Sequence, residues 1–112
     1  MFEPEQNVWI HVKFKDFDDE YDLIIKECKI KTITRHYIIV VPNLDNPIQK
    51  TIEIEFDIDE LKNERSYQDS SGKSMAVTMN LIDESSFDEY KNFSQCDWFK
   101  FLIIMKTMEN IK

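Results

Sequence analysis

A chain of 112 residues with 42% hydrophobic side chains is long enough to bury a core and too apolar for a disordered tail. Its 22 acids outnumber 14 bases, for a net charge of −8, which disfavours nucleic acid and anionic membrane as partners and favours basic proteins. The single glycine, Gly72, excludes a glycine-rich phosphate loop and leaves the turns to Asn, Asp, Ser and Pro.

Residues 7–14 alternate Val8, Ile10, Val12 and Phe14 with Trp9, His11 and Lys13, the pattern of a half-buried strand. A polar connection is expected over 15–22, carrying Asp16, Asp18, Asp19, Glu20 and Asp22. A long second strand follows over 21–33, with Ile24, Cys28 and Ile30 inward and Glu27, Lys29 and Lys31 outward. The run 36–41, Tyr37-Ile38-Ile39-Val40-Val41 after His36, predicts a central strand buried on both faces. Pro42 to Pro47 is a turn by composition.

Residues 51–60 hold the clearest pattern in the chain. Ile52, Ile54, Phe56 and Ile58 alternate with Glu53, Glu55, Asp57 and Asp59, and Glu60 follows. On a strand this gives one apolar face and one acidic face, with carboxylates roughly 6.6–6.8 Å apart. Strands 36–41 and 49–58 are expected to form a hairpin. A helical turn is expected over 59–65, a polar loop over 66–74, and a fifth strand over 75–82.

Ser86-Phe87-Asp88-Glu89 matches a capping box and predicts a short helix to about Phe93. Ser94 with Asp97 resembles a second cap. Trp98, Phe101, Leu102, Met105, Met108 and Ile111 then recur at helical spacing. The expected fold is a single α+β domain over 1–112: an antiparallel β-sheet meander of about five strands packed against C-terminal helices.

Motifs for chemistry are sparse. His11 and His36 are the only histidines, and nothing in the spacing brings either to Cys28 or Cys96. The acids of 16–22 resemble a calcium loop, but Tyr21 stands where a glycine is required. Gly72-Lys73-Ser74 resembles the end of a phosphate loop without its first glycine, which would fall at Tyr67. No cofactor, metal or catalytic residue is assigned, and no enzyme is expected. The start Met1-Phe2-Glu3-Pro4-Glu5 has neither a basic segment nor an apolar run, which predicts a cytoplasmic protein with free thiols.

The acidic row carries the expectation of function. Carboxylates on a stiff strand suit a docking face for a basic protein, and Glu53, Glu55, Asp57, Asp59, Glu60, Asp16, Asp18 and Asp19 are the expected contact residues. Alternatively, Lys29, Lys31 and Arg35 neutralise the row from within. The expected function is inhibition of a basic, nucleic-acid-processing enzyme by blocking its active cleft, as an immunity protein blocks a nuclease toxin. A close variant is a phage protein that mimics nucleic acid to disarm a host defence. Two other classes compete: a small ligand-binding or enzymatic domain with a pocket lined by Trp9, Tyr37, Trp98 and Phe101, and an assembly subunit using the apolar tail 98–108 as its contact.

Overall fold

A computed structural model describes residues 2–45 and 51–110. The architecture is α+β. Among the described residues seven strands run β1 (Asn7–Asp16), β2 (Asp19–Ile33), β3 (Tyr37–Val41), β4 (Ile54–Asp57), β5 (Lys62–Gln68), β6 (Ser74–Ile82) and β7 (Ser94–Gln95). A 3-10 turn, Glu84–Ser86, leads into the one-turn helix α1 (Phe87–Tyr90), and α2 (Trp98–Asn110) is the last element among the described residues. The sheet order is β4-β3-β2-β1-β6-β5, with β7 pairing β2 in parallel. All other pairings are antiparallel. This is not the expected meander: β6 returns to lie beside β1, and the β5–β6 hairpin extends the far side. The two ends of the order curl towards each other into a nearly closed barrel. Asn63 of β5 donates its side-chain amide to the carbonyl of Glu55 in β4 at 2.8 Å.

Alternation dictates the wall. Val8, Ile10, Val12 and Phe14 of β1 turn inward and are buried, the first three opposite Cys28, Ile25 and Leu23 of β2, while Ile30 of β2 is buried opposite Val40 of β3. Ile38, Val40, Ile54, Phe56, Val77, Met79 and Leu81 complete the lining. Burying Phe56, with no exposed surface, contributes on the order of 2 kcal/mol or more of transfer free energy. Helix α2 closes the core with Trp98, Phe101, Ile104 and Met108 at helical spacing. Asp97 caps it, accepting the Lys100 amide at 2.9 Å. The helix expected over this tail is present. Its cap is Asp97 rather than Ser94, which belongs to β7.

Four local expectations fail for physical reasons. The expected connection 15–22 is a tight hairpin: Asp16 faces Asp19 across Phe17 and Asp18, with Phe17 at φ 54°. Its many acids resemble a loop, yet the ladder with β1 holds them in a strand. The second strand changes face midway. Val8 pairs Cys28 while Ile10 pairs Ile25, so β2 bulges at Lys26–Glu27, and Glu27 sits at φ 57°. Below the bulge the inward set is therefore odd-numbered, and Ile24 faces outward, where it is nonetheless buried. Strand β3 buries only Ile38 and Val40; Tyr37, Ile39 and Val41 keep exposure on the other face. Residues 62–68, expected as helical turn and polar loop, are β5, held by its ladder to β6. The turn is confined to 69–73.

The outward Ile24 belongs to a second apolar cluster outside the barrel. Trp9 faces Ile82 across the β1–β6 ladder and stacks on Phe87 at 4.1 Å between ring centroids. His11 lies beside Ile24, with Tyr90 and Phe93 at 5.1 and 5.2 Å. The 3-10 turn, α1 and Phe93 thus form a strap over the outer face of the sheet, and β7 ties its end to the edge of β2. Ser86 makes no side-chain cap, so the predicted capping box does not form; stacking on Trp9 orients α1 instead.

Candidate functional site

The acidic row is built by β4 and the turn that follows it. Ile54 and Phe56 point into the core, so Glu55 and Asp57 must point out. Register with β3 places Asp57 beside Tyr37 and Glu55 beside Ile39. The regular strand runs only from Ile54 to Asp57, shorter than the expected 49–58; residues 49–50 of that range, and 46–47 of the expected Pro42–Pro47 turn, lie outside the described residues. Asp57 itself ends the strand. Its Oδ1 accepts the amides of Asp59 and Glu60 at 2.9 and 2.8 Å, and its carbonyl accepts that of Leu61 at 2.8 Å. Asp59 and Glu60 therefore sit on a turn, and the row of four carboxylates on one strand is broken after Asp57.

Internal pairing removes part of the row. Lys31, the extra residue of a second β2 bulge, forms an ion pair with Glu53. Lys62 reaches Glu60 at 3.7 Å. Both pairs are exposed and weak in water. Among the described residues, Glu55, Asp57 and Asp59 have no cation within ion-pair distance. Lys29 and Arg35 make no ion pair among them either, so of the three expected neutralising cations only Lys31 acts.

Beside the row, the imperfect closure of the barrel leaves a cleft of about 380 Å³. Glu53, Glu55, Asn63 and Arg65 form its mouth, and Met79, Met105 and Met108 its floor. The row thus borders the line where β4 and β5 approach without a backbone ladder.

The second group of expected contacts lies elsewhere. Asp16 and Asp19 flank the tip of the β1–β2 hairpin, and Asp18 at the tip meets Lys73 of the β5–β6 turn at 3.4 Å. This hairpin tip lies at the start of β2, whereas β3, and β4 behind it, attach only to the far end of that strand, Lys29–Ile33. The structure therefore does not gather the eight expected contact residues into one face.

The remaining chemistry is quiet. His11 Nε2 lies 2.8 Å from Asp22 Oδ1 under the aromatic strap. The sequence singles out the histidine but not this carboxylate as its partner, because the acids of 15–22 resemble a polar connection and only the β1–β2 hairpin brings Asp22 to His11. Both cysteines are free and buried. Burial pushes the Cys28 thiol up to about 12; burial, aided by the negative Asp97, pushes Cys96 to about 11. Neither is a thiolate near neutrality. No group of three His, Cys, Asp or Glu side chains among the described residues is arranged to hold a metal. Trp9, Tyr37, Trp98 and Phe101 do not converge on a pocket. Trp9 lies in the outer cluster, Tyr37 is exposed, and the other two are core. The tail expected as an assembly contact buries most of its apolar stripe within the chain, leaving Phe99 and Ile103 outside. Among the described residues, no helix is long and apolar enough to cross a membrane.

Compared with known proteins, the chain matches no family model, no curated protein and no solved structure.

Proposed function

We propose that the chain is an inhibitory binding protein for a basic, nucleic-acid-processing enzyme, and that it acts by seating the β4 edge in that enzyme's cleft. The observation that carries this reading is the outward trio Glu55, Asp57 and Asp59, which has no cation within ion-pair distance among the described residues. Phe56, fully buried between them, fixes their carrier to the core. Carboxylates held this way lose little freedom on meeting Lys or Arg, and the field of a −8 chain speeds the encounter. Asp57 contributes position more than free charge, because its Oδ1 already accepts two amides. The contact set is therefore smaller than the sequence implies, with Glu55 and Asp59 at its centre.

The test is capture of basic proteins from a source lysate by the immobilised chain, followed by assay of the captured protein's nuclease activity. Glu55→Lys with Asp59→Lys leaves the Asp57 turn intact. Capture is expected to weaken at least roughly tenfold in that variant and to fall with added salt. If the double reversal captures the same nuclease equally well, the β4 site is refuted. Partners that are neutral and indifferent to salt would refute the whole reading.

A further inference from the structure

A second cleft, of about 610 Å³, opens between the first half of β2 and the side of α2. Its walls are apolar. Tyr21 and Leu23 of β2 face Ile103 and Ile104 of α2. Two of these are unusually open for their size, Tyr21 at 48% and Ile103 at 60%, and Phe99, one helical turn before Ile103, is 74% exposed. Its rim is acidic, with Asp16, Glu20 and Asp22 along the β2 side. The one cation lining it, Lys100, donates to the Gln95 carbonyl at 3.5 Å.

The floor adds backbone chemistry. On its side away from β1, β2 is paired by β7 at Leu23–Ile24 and by β3 from Lys29 onward. Asp19 to Asp22 have no strand on that side among the described residues. β7 shows that this edge accepts a parallel strand, and the line ahead of Ser94 is open because Phe93 departs to the outer cluster. An unpaired edge offers amides and carbonyls to an extended chain, and alternate side chains of that chain then enter flanking pockets.

We infer that this groove binds an extended segment of a partner protein in which apolar side chains alternate with lysine or arginine, the segment adding a strand at Asp19–Asp22. The apolar side chains enter between Tyr21 and Ile103, and the cations, on the opposite face of the added strand, meet Glu20. A second copy of this chain is a poor occupant, because its own edge would set acid against acid. The inference rests on the reading of the chain as a binder of basic proteins, but places a contact far along the sheet from β4.

The probe is a synthetic eight-residue peptide alternating lysine with valine and phenylalanine, titrated into the ¹⁵N-labelled chain. Amide shifts are expected to cluster at Asp19–Leu23 and Lys100–Ile104, and affinity should fall with salt. A peptide with glutamate for lysine should not bind. Ile103→Arg, on an exposed position, should weaken binding roughly tenfold with the rest of the spectrum native; Tyr21→Ser serves as a second variant from the opposite wall. Glu55→Lys with Asp59→Lys should bind the peptide as before. Absence of saturable binding, binding unaltered by both groove variants, or shifts confined to Glu55–Asp59 would each overturn the groove. The last result would leave the β4 proposal standing.

Discussion

Asp69 organises the β5–β6 turn almost alone. Its Oδ1 accepts the Ser71 amide at 2.9 Å, the Lys73 amide at 3.0 Å and the Ser71 hydroxyl at 2.6 Å. The Ser71 hydroxyl bond, with the two amides and the Lys73 charge, lowers its pKa from the ordinary 3.8, against a smaller cost of desolvation. A carboxyl with a depressed folded pKa stabilises fully above its unfolded pKa, and that help disappears as pH falls through the folded value. Asp69→Ala is therefore expected to be less stable than the parent at neutral pH, and the gap should narrow below about pH 4. Urea denaturation from about pH 7 down to about pH 2 checks this; a gap that widens in acid would contradict the bonding described. The Asp69–Ser71 pairing was not legible in the sequence, where 66–74 read only as polar. Gly72, in the same turn at φ +90°, shows its role more openly, since an added Cβ would meet nothing closer than Gln68 Nε2 at 4.0 Å. Its constraint is conformational rather than steric crowding.

At the scale of the element, the bulge in β2 decides more than any single contact. It moves the inward set from odd to even numbers, so Ile25 and Cys28 both reach the core. Left-handed backbone at Glu27 costs a residue with a Cβ about 1 kcal/mol. Glu27→Gly should therefore leave stability unchanged or raise it by up to about 1 kcal/mol, whereas Lys29→Gly, two positions on in regular strand, should lower it by about 1 kcal/mol. Equal losses in thermal denaturation would argue that no bulge exists. Alternation over 7–14 and 75–82, and helical spacing over 98–108, were legible because one face of each must be buried. The bulge was not, because glutamate is no signal for left-handed backbone. Nor was β5, whose Lys62–Gln68 lacks alternating apolar side chains and owes its extension to its ladder with β6.

At the scale of the molecule, the acidic face was legible in outline and not in extent. Ile54 and Phe56 forced Glu55 and Asp57 outward, as any alternating strand must. How far the row continued depended on Asp57 closing a turn and on Lys31 meeting Glu53, both products of chain reversal and a distant bulge. The near-closure of the barrel was likewise invisible, since it joins β4 to β5 through an asparagine side chain instead of a repeating ladder.

Because Val8 and Ile10 of β1 turn inward, Trp9 between them turns outward, and the two tryptophans report from opposite sides of one wall. Trp98 sits with the inner lining, and Trp9 under the strap. Layers that share the same three central strands have no seam along which to separate, so they should melt as a unit. Emission from Trp98→Phe and Trp9→Phe variants, each compared with its own circular-dichroism transition, should give coincident midpoints; an earlier loss at Trp9 would mean that the strap is an independently dissolving layer.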